Sequence, residues 1–122
     1  MTILQESTNW GGPLLEQRRI DRKMLRTLAQ LRLPNGSQLA VRAYDVGLEG
    51  ISVVAPVNLR LKSGCEIVFK VPIDGRIGDG IHASASVAHS ILSRRQDGFM
   101  IGLDFRGIRE GDLALIKAYV NA

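Results

Sequence analysis

From residue 28 onward the chain breaks into short apolar or alternating runs separated by turn residues, and this spacing constrains the fold more than any other feature. A period of 2 fits these runs better than one of 3.6, which assigns them to strands, whose side chains alternate between two faces of an extended backbone. They lie at 28–33, 38–44, 50–54, 65–71, 81–92 and 99–105. Pro34, Asn35 and Gly36 supply one hairpin-type turn, Ser63 and Gly64 a second, Asp97 and Gly98 a third. Such short connections pair strands antiparallel, because parallel neighbours need crossovers of about a dozen residues or more. The expected fold is therefore mostly β, a six-stranded antiparallel barrel, since closure removes exposed edges. The polar, Gly-rich segment around Asp74, Gly75, Arg76, Gly78 and Asp79 reads as a long, mobile connection.

Only the end of the chain reads as helix. Leu113, Ile116 and Val120, joined by Leu115 and Tyr119, form one apolar stripe, with Glu110 and Asp112 in the first turn and Lys117 near the end, where each suits the helix dipole. A lone short helix gains most of its stability from packing, so this one is expected to lie on the barrel.

A chain of 122 residues that is 45% hydrophobic and 23% charged is long enough for one core and short for two. No run approaches the roughly 20 apolar residues that span a bilayer, and residues 1–10 lack the basic head and apolar run of a signal peptide. A cytoplasmic location without membrane insertion is expected. Cys65 is the single cysteine, which excludes an internal disulfide and a thiolate cluster; it reads as a small buried hydrophobe. His82 and His89 stand seven apart in one strand, an odd separation that places them on opposite faces and unable to chelate one metal. With no nucleophile-elbow, phosphate-loop or zinc spacing, the sequence does not read as an enzyme and calls for no metal or cofactor.

The net charge of +4 is unevenly spread. Residues 18–32 hold Arg18, Arg19, Arg22, Lys23, Arg26 and Arg32 against Asp21 alone, a charge of +5, and the rest of the chain holds −1. Basicity gathered at one place points to a compact anionic ligand. Guanidinium pairs bidentately with phosphate and with the O6/N7 edge of guanine, and its flat face stacks on a base. With 12 arginines in the chain, however, an Arg-x-x-x-Arg spacing arises by chance about once. Six aromatic residues, most expected in the core, leave few stacking platforms for single-stranded nucleic acid, so a polymeric partner is disfavoured.

A second feature, Asp45-Val46-Gly47-Leu48-Glu49-Gly50, sits between two predicted strands, where glycines permit a tight turn or close approach of a ligand to bare backbone. Arg18 to Arg22, a hairpin, Asp45 to Gly50, a β meander and a terminal helix stand in an order that resembles the PilZ family. In that family an R-x-x-x-R motif precedes the first strand, and a D/N-x-S-x-x-G motif lies between the second and third. Arg18, Arg19 and Arg22 match the first motif, and Asp45, Gly47 and Gly50 match the second, except that Gly47 replaces the family's Ser. Arg22 and Arg26 form an overlapping second pair. The stretch Gly98 to Phe105 resembles the family's last strand.

Residues 1–17 show no period and contain Gly11, Gly12 and Pro13, and read as a flexible leader; the resemblance implies 18–122 as a PilZ-like barrel domain that includes the Arg-rich switch segment. It implies a receptor for cyclic di-GMP in which Arg18, Arg19 and Arg22 clamp the ligand over a floor of Asp45, Gly47 and Gly50. Such a receptor, with no output domain read in the sequence, is expected to signal to a separate protein effector. The alternative it leaves is a PilZ-like scaffold that works through protein contacts without the nucleotide.

Overall fold

The computed structural model describes residues 22–122. In chain order its elements are β1 (Lys23–Met24), β2 (Leu28–Arg32), β3 (Gln38–Val46), β4 (Gly50–Ala55), β5 (Gly64–Phe69), β6 (Pro72–Ile73), β7 (Arg76–Ile77), β8 (Ile81–Ser93), β9 (Gly98–Ile108) and α1 (Glu110–Val120). Six of the strands close a ring in the order β3, β2, β5, β8, β9, β4, and β4 returns to pair with β3. Every pairing is antiparallel. β1 continues the line of β2 and pairs with the far end of β3, Lys23 opposite Val46 and Met24 opposite Asp45.

Alternation fills the interior. Ala29 and Leu31, Val41 and Ala43, Ile51 and Val53, Cys65, Ile67 and Phe69, Ile81 and Ala83, Ile101 and Leu103 all face one core. Cys65 is buried there, as a small hydrophobe should be. Burying each large side chain contributes about 1.5 to 3 kcal/mol, and small alanines leave room for the large neighbours.

α1 packs against this core through Ile116 and Tyr119, with Leu115 and Val120 partly buried beside them. The buried face therefore centres on Ile116 and Tyr119, one position round from the expected stripe, and Asp112 joins it at 5% exposure. The Asp112 carboxylate accepts the backbone N–H of His82 at 3.3 Å, which satisfies a charge the sequence placed there only for the helix dipole.

Two expectations about connections are corrected. The Ser63 and Gly64 turn does not join paired strands: β4 lies between β9 and β3, and β5 between β2 and β8, so the chain crosses to another part of the barrel there. The expected loop at 74–79 contains a hairpin of β6 and β7, turned by Asp74 at φ 52° and Gly75 at φ 77°. Asp followed by Gly favours two successive positive φ values, which is the geometry of a tight hairpin turn.

Candidate functional site

β3 carries the decisive irregularity. Val41 and Ala43 point into the barrel, so in a regular strand Asp45 would point inward too. Instead the register with β4 shifts between Ala43, opposite Val53, and Asp45, opposite Ser52. Tyr44 is the extra residue of this bulge, which sends Val46 into the core and turns Asp45 to the outer face. A carboxylate left inside an apolar barrel would be strongly destabilising.

On that outer face Asp45 meets Arg22. Arg22 donates to Asp45 Oδ1 from Nη2 at 2.6 Å and from Nε at 3.2 Å, and Nη2 also reaches Ser52 Oγ at 3.3 Å. The two side chains retain 27% and 25% of their exposure, enough to meet a ligand and too little for full screening by water. Arg22, the last residue of one predicted motif, is thus joined to the first residue of the other. Ser52 was not singled out in the sequence. Its one signal is its position between inward-facing Ile51 and Val53 on β4.

Gly47 and Gly50 are buried and close the turn between β3 and β4, with the Gly47 N–H donating to the Gly50 carbonyl at 2.9 Å. Gly50 has a structural reason to be glycine: a Cβ there would lie 2.1 Å from the Leu103 carbonyl oxygen of β9. Arg18 and Arg19 lie outside the described residues. Arg26 is exposed in the loop between β1 and β2, and lines a groove together with Leu28, Arg42, Tyr44, Val54 and Arg95.

The residue after Arg22 fastens the site to the helix. Lys23 Nζ donates to the Tyr119 carbonyl oxygen at 3.1 Å and stands 4.5 Å from the centroid of the Tyr119 ring. The Tyr119 hydroxyl donates back to the Met24 carbonyl oxygen. Burial pushes the Tyr119 phenol above its ordinary pKa, so it stays a donor.

The histidines depart from expectation, since both lie on the outer face. A shift in register between Val87 and His89 resets the alternation of β8. His82 Nε2 contacts Glu66 Oε1 at 2.8 Å, and the His89 ring lies over Gly102, where a Cβ would come within 2.1 Å of it. Among the described residues no group of three or more His, Cys, Asp or Glu could hold a metal ion. No described helix is long and apolar enough to cross a membrane.

Neither a family model nor a curated protein matches the chain. Solved structures do. The inhibitor of motility MotI/DgrA of Bacillus subtilis matches with a TM-score of 0.71 at 16% identity, over 82% of this chain and 48% of its own. The PlzA protein of Borreliella burgdorferi, solved in complex with c-di-GMP, matches with a TM-score of 0.58 at 16% identity, over 87% of this chain and 37% of its own. The PilZ domain of CeSA from a cellulose-synthesizing bacterium matches with a TM-score of 0.53 at 13% identity, over 82% of this chain and 95% of its own. The chain spans about half the length of the first of these and less of the second. The barrel with its terminal helix has the PilZ-domain fold.

Proposed function

We propose that the chain is a receptor for cyclic di-GMP in which Arg18, Arg19 and Arg22 grip the ligand over a floor made by the Asp45 to Gly50 turn. The observation that carries this reading is the Arg22 to Asp45 ion pair, which joins two motifs 23 residues apart on one outer face. Supporting it are the PilZ-domain fold and the presence of c-di-GMP in one protein of similar fold. Two phosphates and two guanines suit clustered guanidiniums, which hold phosphate oxygens and the O6/N7 edge of guanine alike.

In this reading the arginine segment orders over the ligand, and the change passes through Lys23 and Met24 to Tyr119 and α1, the element best placed to present it to a protein effector. The chain acts by binding, without catalysis, as a cytoplasmic protein. Isothermal titration with cyclic di-GMP tests the proposal. Binding should appear at or below tens of micromolar and be lost when Arg18, Arg19 and Arg22 are changed together to Ala. An unmodified chain that binds nothing at that concentration removes the receptor reading and leaves the scaffold. Gly47, which stands where a hydroxyl is expected, is the one feature that favours the scaffold.

A further inference from the structure

The pair that anchors the proposed site is electrically spent. Arg22 is neutralised by Asp45 at 2.6 Å, so together they offer no net charge to a ligand that carries two phosphates. Beside them lies a groove of about 500 Å³, between the loop that holds Arg26, the outer faces of β3 and β4, and the turn from β8 to β9. That volume is within the roughly 300 to 1,000 Å³ usual for small-molecule sites. Arg26, Arg42 and Arg95 line it, all exposed, and none has a carboxylate partner among the described residues. Arg42 Nη2 donates to the Gln96 carbonyl oxygen, which fixes its guanidinium against the β8 to β9 turn. Tyr44, half-buried, and Val54, buried, line the same groove.

The groove and the anchoring pair are neighbours on one face. Tyr44 is the bulge residue that adjoins Asp45, and Val54 stands two residues beyond Ser52, about 7 Å along the strand.

We propose that this groove holds the half of the dinucleotide remote from Arg22 and Asp45, with its phosphate and guanine edge against Arg42, Arg95 and Arg26 and its base against Tyr44. The proposal rests on the receptor reading above. It assigns Arg42 and Arg95, which neither motif contains, beside Arg26 of the overlapping second pair, and it places the uncompensated charge where the second phosphate needs it.

The test titrates the full chain with cyclic di-GMP at two salt concentrations, as the unmodified protein and as R22A, R95A, R42A/R95A and R42K/R95K. We expect R42A/R95A to weaken binding by about tenfold or more, the loss that follows removal of charge-assisted hydrogen bonds, and to flatten the salt dependence. R42K/R95K should keep the salt dependence but recover only part of the affinity, since ammonium cannot bind in the bidentate way. R95A alone carries the test if the loss of the Arg42 to Gln96 contact unfolds the turn, because Arg95 donates no hydrogen bond among the described residues. If the unmodified chain binds, R22A abolishes binding, and R95A and R42A/R95A bind as tightly as the unmodified chain, the groove proposal is overturned and the receptor reading stands. No binding by the unmodified chain overturns both.

Discussion

Arg22 Nη2 lies 2.6 Å from Asp45 Oδ1 and 3.3 Å from Ser52 Oγ, so one guanidinium ties the chain's entry into the barrel to two adjacent strands. Because the pair is partly buried and held by two donors, it should contribute more than an open surface ion pair. A double-mutant cycle of R22A and D45A in urea unfolding should give a coupling of about 1 kcal/mol, at the upper end of exposed pairs. A coupling near zero would show that the two side chains meet without holding each other.

Tyr119 closes a second loop of contacts, since its hydroxyl donates to the Met24 carbonyl while its own carbonyl accepts from Lys23. Y119F removes the hydroxyl, leaves the ring under the Lys23 ammonium, and should destabilise the fold by about 1 kcal/mol, the usual worth of one hydrogen bond. If β1 is how the site communicates with α1, Y119F should also weaken cyclic di-GMP binding a few-fold. Titration and thermal unfolding of the same variant separate the two effects.

How much of this was legible in the sequence depends on parity. Strands with uninterrupted alternation, such as Cys65 to Phe69 with its buried Cys65, Ile67 and Phe69, read correctly because nothing disturbs the period of 2. The outward turn of Asp45 and the exposure of His89 depend on bulges in β3 and β8, and a bulge inserts one residue without any residue type that marks it. The Arg-rich segment and the Asp45 to Gly50 turn were visible as motifs. Arg42 and Arg95 were not, because they are 53 residues apart and meet one groove only when β3 and the β8 to β9 turn come together on the closed barrel.

Alkaline pH should weaken the fold for a calculable reason. Burial, with a smaller push from Glu66, raises the Cys65 thiol above its ordinary 9.0, and burial raises the Tyr119 phenol above 10.0. A group whose folded pKa is raised contributes stability that is whole below its unfolded pKa and is lost as pH climbs through the folded value. Urea midpoints should therefore begin to fall near pH 9 and fall further beyond 10. C65A should delay the onset, and Y119F should blunt the later part. A midpoint that holds steady across that range would show that folding raises neither pKa.

The two glycines of the second motif should respond in opposite ways. At Gly50 any Cβ would stand 2.1 Å from the Leu103 carbonyl oxygen, a backbone atom that moves only if β4 and β9 part. G50A should cost about 3 kcal/mol, the upper range for forcing atoms into a filled space, and should weaken every ligand contact through the fold alone. Gly47 differs because its N–H already closes the turn onto the Gly50 carbonyl, and a serine retains that N–H while adding a hydroxyl. G47S should raise affinity for cyclic di-GMP by up to about tenfold, the worth of one added hydrogen bond. If G47S leaves affinity unchanged, the missing hydroxyl is not what limits binding, and the arginines flanking the Asp45 face set the affinity.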